Sequence, residues 1–234
     1  MDPYLSVLIP VYNEEATLAA VIDAVRKVPE DLEIVIVDDG STDGSWQLIE
    51  ERVDGERVRA TRHDRNQGKG VAIRTGLGMA RGKVVLIQDA DLEYSPDDYG
   101  VLLDPIRSGR ATVVYGSRTF SSHASYSFWY VMGNRLVTLI TNVLYNCYLS
   151  DIETGYKVVP TEIARSLELE ARGFELEPEI TAKLLRGGYR IYEVPISYAA
   201  RSREEGKKLT VWDGVKALLT LLRYRRWKPA AAAV

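Results

Sequence analysis

Apolar positions recur in a regular alternation through the first half of the chain. Runs rich in Val, Ile and Leu occupy 5–9, 33–37, 83–87 and 112–115, each the length of a β-strand, with a weaker run at 58–61. Between them apolar residues return every three or four positions. Leu18, Val21, Ile22 and Val25 share one face and predict a helix over 14–27. Trp46, Leu48 and Ile49 predict another over 43–53, which Asp43 can cap. Further helices are expected over 71–80 and from Pro96 to about 107. The strand runs are nearly free of polar residues, as strands buried on both faces should be. Such strands alternating with helices imply the α/β class, a mainly parallel sheet with helices on both faces.

The second half is less regular. An aromatic-rich helical stretch covers 127–149, short helices are expected over 163–169 and 178–186, and 189–194 alternates like a strand. Over 210–226 a helix is expected, with Val211, Val215, Leu218, Leu219 and Leu222 on one side. No linker, repeat or low-complexity block interrupts the chain. One domain over 1–228 is expected, closed by a basic amphipathic helix over 210–228, with 229–234 a frayed tail.

Composition narrows this further. With 234 residues, 46% apolar and 27% charged, the chain fits a soluble globular protein and excludes disordered, collagenous and coiled-coil classes. Cys147 is the single cysteine and His63 and His123 the only histidines, so neither a disulfide nor a His- or Cys-rich metal site is expected. The N-terminus lacks a basic region before its apolar run, and no uncharged apolar stretch reaches about 20 residues, so the chain is expected to be cytoplasmic. The net charge of −3 is uneven. Residues 186–228 hold eleven Lys and Arg against four acids, net +7, leaving −10 elsewhere. A solvated face or an anionic partner (phosphate, nucleic acid or a membrane surface) would both suit that tail.

Three apolar strands end in polar clusters: Pro10 to Glu14, Asp38 to Asp43, and Gln88 to Glu93. Ligands of open α/β sheets bind outside the carboxyl ends of the strands, so these clusters should converge. Asp89 and Asp91 lie two apart; in extended backbone both would face the same side, where crowded carboxylates suit a hard divalent cation that also takes phosphate oxygens. Glu93 is a third candidate ligand. Asp38 and Asp39 close a buried strand, where a carboxylate can accept a nucleobase N–H or a ribose hydroxyl. Lys69, in Gly68-Lys69-Gly70, could meet a diphosphate, although a plain turn explains those glycines as well. Phosphate loops of the Walker and dinucleotide types and a nucleophile elbow are absent.

The ordered set Pro10-x-Tyr12-Asn13-Glu14, Asp38-Asp39-Gly40-Ser41-x-Asp43, Gly68-Lys69-Gly70, Gln88-Asp89-Ala90-Asp91-Leu92 and Gly116-Ser117-Arg118 resembles the inverting family 2 glycosyltransferases, of GT-A fold, over nearly the whole chain. Asp151-x-x-Thr154-Gly155-Tyr156-Lys157, Phe174 to Glu177, Val194-Pro195-Ile196, Arg201 and Glu205-Gly206-Lys207-Lys208 are more narrowly similar to the polyprenyl- and dolichyl-phosphate hexose synthases. The resemblance implies that Pro10, Tyr12, Glu14, Asp38, Asp39, Lys69, Asp89 and Ala90 bind the nucleotide. It implies that Asp89, Asp91 and Glu93 hold Mg2+ or Mn2+, with Asp91, Arg118, Arg201 and Lys207 catalytic. Arg118, Arg135, Arg201 and Lys207 would face the acceptor phosphate. The implied donor is a GDP- or UDP-linked mannose or glucose.

The chemistry of the residues agrees. An acceptor phosphate is already anionic and needs positive charge rather than a general base, whereas an acceptor hydroxyl requires a carboxylate such as Asp151. No Gln-x-x-Arg-Trp occurs, which disfavours a processive polysaccharide synthase. Phe120, Tyr126, Phe128, Trp129, Tyr130, Tyr145 and Tyr148 around Arg135 suit either a core helix or a segment lying in a membrane interface. The basic tail would then rest on the inner face of the cell membrane, making the enzyme peripheral. Two rivals remain: transfer to a sugar hydroxyl of a polysaccharide or glycolipid, and a non-catalytic nucleotide-sugar or polyanion binder. A polyanion binder gains nothing from Asp89 and Asp91 in its site, so no nucleic-acid partner is expected.

Overall fold

The computed structural model describes residues 2–119, 128–199 and 211–229. Seven strands form one sheet in the order β3-β2-β1-β4-β6-β5-β7. The strands are β1 (Leu5–Val11), β2 (Leu32–Asp38), β3 (Val58–Arg62), β4 (Val84–Ile87), β5 (Val113–Ser117), β6 (Lys157–Pro160) and β7 (Ile191–Pro195). The helices are α1 (Leu18–Lys27), α2 (Ser45–Glu50), α3 (Lys69–Met79), α4 (Tyr99–Arg107), α5 (Phe128–Tyr145), α6 (Thr161–Ser166), α7 (Leu176–Arg186) and α8 (Val211–Tyr224).

Strand alternation sorts the core into two layers. Leu5, Val7 and Ile9 of β1 pack with α1, α2 and α4 on one face, while Leu8 packs with α3, α6 and α7 on the other. Leu18, Val21, Ile22 and Val25 of α1 are all buried, each contributing about 1.5–3 kcal/mol by leaving water. A third cluster, built from Val137 of α5, Ala182 of α7 and Ala217 and Leu221 of α8, lies beside this sandwich.

The sheet is parallel except at β6, which runs antiparallel to both β4 and β5. That strand was not expected from the sequence. It is four residues long, starts with Lys157 and ends with Pro160, so no periodic signal marks it. Helix starts also differ from the expected ones. Residues 14–17 form a turn in which Thr17 and Leu18 N–H donate to the Glu14 carbonyl, so α1 begins at Leu18. Asp43 lies two residues before α2, with Gly44 at the N-cap position, and still takes the first helical N–H. Its carboxylate accepts from Ser45 N and Glu15 N, tying together the loops that follow β1 and β2.

Candidate active site

Loops after β1, β2, β4 and β5 meet at the carboxyl edge of the sheet. Asn13, just past β1, has φ 55°, and Leu92, past β4, has φ 61°. Left-handed backbone at non-glycine residues costs energy and collects where a loop must aim side chains. Here it lies in two of the converging loops. Asn13 Oδ1 accepts from Thr42 N at 2.8 Å, Asn13 N donates to Ser41 Oγ at 3.0 Å, and Glu14 N donates to Ser45 Oγ at 3.0 Å. Pro10, Tyr12 and Glu14 therefore sit on a loop fixed against the Asp38–Asp43 turn, with Tyr12 exposed.

Asp38 and Asp39 turn inward. Asp38 is fully buried, accepts from Ser41 N and pairs with Arg62 Nε at 2.9 Å. Asp39 accepts from Gln67 N at 3.0 Å and Gly68 N at 2.7 Å, and its Oδ1 lies 2.7 Å from His63 Nδ1. Both carboxylates thus hold the chain around a tight approach. Gly40, at φ 73°, would put a Cβ 2.6 Å from the Arg65 carbonyl carbon.

The turn after β4 breaks the extended geometry on which a shared side for Asp89 and Asp91 depended. Gln88 anchors it: Gln88 Oε1 accepts from Tyr99 OH at 2.8 Å and Tyr156 OH at 2.6 Å. The chain then turns at Ala90–Asp91, and the Ala90 carbonyl accepts from Thr17 Oγ1 at 2.6 Å. Asp89 Oδ1 lies 2.8 Å from Lys69 Nζ, Asp91 Oδ1 accepts from Glu93 N at 3.1 Å, and Glu93 accepts from Tyr198 OH. A cavity of about 190 Å³ opens beside this turn, lined by Leu92, Glu93, Ser95, Ser197, Tyr198 and Ala199.

Lys69 starts a buried chain of alternating charge. Its ammonium lies 3.1 Å from Glu177 Oε1, and Glu177 Oε2 lies 3.3 Å from Lys157 Nζ. Burial alone would lower the pKa of Lys69, but Asp89 and Glu177 more than offset it and hold the ammonium firmly charged. In Lys157 burial prevails over the carboxylates around it and pushes the pKa down. Reasoning from residues alone did not assign Lys157 or Glu177 a place in the site. The available signal was a charge at the head of an otherwise apolar strand, and another in the buried first turn of α7.

Beyond β5, Asp151 and Arg118 form a two-point pair, Nε to Oδ2 at 2.6 Å and Nη2 to Oδ1 at 2.8 Å, and Asn134 Nδ2 donates to Oδ1 at 3.0 Å. Burial would raise the pKa of Asp151, but the Arg118 charge and the hydrogen bonds from Arg118 and Asn134 hold it below the usual carboxylate value. Arg135 follows Asn134 on α5 and is exposed. Arg201 and Lys207 lie outside the described residues, as do Phe120 and Tyr126.

Among the described residues no cluster of three or more His, Cys, Asp or Glu side chains could hold a metal ion. Asp89, Asp91 and Glu93 nevertheless have the right chemistry for a hard cation. They offer oxygen only, and Mg2+ in phosphate sites characteristically takes one or two carboxylates and completes its octahedron with phosphate and water.

Residues 6–165 match the family described as Glycosyl transferase family 2. The chain is 31% identical over 209 residues to a polyprenol monophosphomannose synthase of Mycolicibacterium smegmatis, covering 83% of this chain and 77% of that protein. It is 28% identical over 211 residues to an undecaprenyl-phosphate mannosyltransferase of Micrococcus luteus, covering 86% and 85%. Among solved structures, glucosyl-3-phosphoglycerate synthase from Mycobacterium tuberculosis, in complex with Mn2+, uridine diphosphate and glucosyl-3-phosphoglycerate, superposes with a TM-score of 0.73. That match has 22% identity and covers 98% of this chain and 82% of that one. At that identity the likeness is one of fold, the GT-A fold.

Proposed function

The chain belongs to glycosyl transferase family 2, and from that premise we propose that it moves a hexose from a nucleotide sugar to a polyprenyl phosphate at a membrane surface. It is a glycosyltransferase, and the finer reading concerns its acceptor, its metal and its location. One observation carries the acceptor. A hydroxyl acceptor needs a carboxylate base. Asp151, the carboxylate proposed for that task, is committed to Arg118 and Asn134 with its pKa held down. Such an acceptor would have to use Glu153 instead, whose pKa is pushed up to about 7. A phosphate acceptor needs no base, because it is already ionised. It needs cations to approach a second anion, and Arg135, Arg201 and Lys207 are the proposed supply, with a lesser share from Arg118, which is paired to Asp151.

Pro10, Tyr12 and Glu14, with Asp38 and Asp39 shaping the adjoining turn, would seat the nucleoside. Lys69 and Ala90 belong to the same wall, Lys69 by fixing Asp89 and Ala90 by holding the turn to Thr17. Asp91 with Asp89 or Glu93 would hold Mg2+ or Mn2+, which when bound neutralises charge on the departing diphosphate. The acceptor phosphate, steered by the arginines, would attack the anomeric carbon from the face opposite the diphosphate, with inversion.

The reading of a membrane surface rests on two packed helices. Phe128, Met132, Leu136, Leu139 and Val143 of α5 and Trp212, Val215, Leu219 and Leu222 of α8 are all exposed large apolar residues. Their spacing lays each set along one helix face, and Tyr145 OH donates to the Leu221 carbonyl, joining the helices. Arg223, Arg225, Arg226 and Lys228 follow, exposed, at the end of α8. No helix among the described residues is long and apolar enough to cross a membrane. An apolar face with a basic border suits an anionic lipid surface.

Arg201→Ala and Lys207→Ala test the acceptor site. Transfer to polyprenyl phosphate should fall about 30- to 1,000-fold if each makes a charge-assisted contact, while nucleotide affinity stays within a few fold. Equal loss of both would assign those residues to the donor instead. Normal transfer to the lipid phosphate would remove them from the acceptor site.

A further inference from the structure

Three buried side-chain oxygens have no hydrogen-bond partner among the described residues: Asn134 Oδ1, Glu153 Oε1 and Thr154 Oγ1. Buried polar atoms are nearly always paired, because leaving one unpaired costs about 1–3 kcal/mol. These three are not scattered. Glu153 and Thr154 are adjacent, and Asn134 is bonded to Asp151 in the same segment. Asn134 Oδ1 and the Glu153 carboxylate oxygen accept, and the Thr154 hydroxyl can accept or donate.

Their position is fixed by the groups around them. Gly155 is pressed on the turn after β4: a Cβ there would lie 3.0 Å from Asp89 Oδ2 and 3.2 Å from the Tyr94 ring. Gly155 N donates to Tyr94 OH at 2.8 Å. On the other side the Thr154 carbonyl accepts from Lys157 Nζ, which also meets Glu177. The segment from Asp151 to Gly155 therefore lies between the Arg118 pair and the Asp89–Lys69–Glu177 chain. That is the ground between the proposed acceptor cations and the proposed diphosphate carboxylates, where a transferred group must sit.

We infer that Glu153 and Thr154, with Asn134 beside them, form an acceptor-rich lining that receives hydroxyl groups of the hexose carried by the nucleotide. The inference rests on the reading of the donor as a nucleotide sugar. A neutral hexose presents several O–H donors and no charge, the complement of orphaned acceptors. A carboxylate takes such donors in stronger bonds than a neutral oxygen does. Burial, the largest influence on Glu153, raises its pKa to about 7 even with Lys157 and Arg118 nearby, as the negative charges of Glu177 and Asp151 reinforce it. A carboxyl left in that state is one the fold alone does not satisfy. A site whose buried acceptors are paired only by substrate also discriminates strongly against sugars that lack the matching hydroxyl.

The experiment is calorimetric titration of wild type, Glu153→Gln and Thr154→Val with UDP, UDP-glucose, GDP and GDP-mannose in Mg2+, followed by transfer kinetics. Both replacements keep side-chain shape, and Thr154→Val carries the test if Glu153→Gln does not fold. For whichever nucleotide sugar wild type binds, affinity should fall about tenfold or more in Glu153→Gln and several-fold in Thr154→Val. Affinity for the matching nucleoside diphosphate should stay within twofold. Equal weakening of sugar nucleotide and nucleoside diphosphate, or no weakening of either, overturns the inference. So does intact sugar-nucleotide affinity with abolished turnover, which would make Glu153 a proton acceptor. If wild type binds a nucleoside diphosphate but no nucleotide sugar, the donor reading falls and takes the subsite with it. Loss confined to the variants leaves the donor reading standing.

Discussion

Asp151 and Glu153 are two residues apart and meet opposite fates. Each is pushed toward neutrality by burial; Arg118 and Asn134 reverse that for Asp151, and nothing reverses it for Glu153. Arg118→Ala would leave Asp151 an uncompensated buried anion, and we expect a loss of about 3–5 kcal/mol by denaturant unfolding. A loss below about 1 kcal/mol would mean that water solvates Asp151. Glu153 gives a pH signature. Its folded pKa, about 7, lies above the ordinary 4.5, so its contribution to stability is complete below pH 4.5 and disappears as pH rises through 7. Glu153→Gln removes that loss. Relative to wild type, the variant should become progressively more stable between pH 5 and pH 8, by up to about 3 kcal/mol. A stability difference that is flat across that window would refute the assignment of an elevated pKa.

At the level of elements, the exposed faces of α5 and α8 make a separable claim. Leu139 and Leu219 are 58% and 61% exposed, so serine there should leave folding intact. Leu139→Ser with Leu219→Ser should weaken binding to anionic vesicles roughly tenfold or more, given the transfer energy of two leucines. Unchanged sedimentation with vesicles would leave that face without a lipid role. Elements also show what a sequence can carry. The apolar runs of β1, β2 and β4, and the face of α1, were legible because burial on one or both sides imposes a period. On α8 the apolar set read from the sequence is not the buried one: Val215, Leu219 and Leu222 are exposed, whereas Ala217, Leu221 and Tyr224 face the protein. β6 was not legible, since Lys157–Pro160 holds only two uncharged, non-proline residues and its place between β4 and β5 is decided by tertiary contacts. The site shows the same division. Acidic strand ends were visible as motifs, but the inward turn of Asp38 and Asp39 and the chain from Asp89 through Lys69 to Glu177 depend on residues up to 108 positions apart.

For the whole molecule, the proposed nucleotide wall and acceptor side would share the carboxyl edge of one sheet, while α5 and α8 carry an exposed apolar face. Asp91→Asn removes one charge at the turn after β4 and should lower turnover by orders of magnitude with little change in thermal midpoint, because Asp91 is only partly buried outside the packed layers. Full activity in that variant, with wild type insensitive to chelator, would sink the metal assignment. The central claim is that the acceptor is a lipid phosphate. Its most direct test is transfer of radiolabelled hexose from a panel of UDP- and GDP-sugars, with Mg2+ or Mn2+, to polyprenyl phosphate and to the same polyprenol without phosphate. Label is expected on the phosphorylated lipid from at least one donor and none on the bare alcohol. Label on the alcohol, or on a soluble sugar in preference to the lipid phosphate, would contradict it.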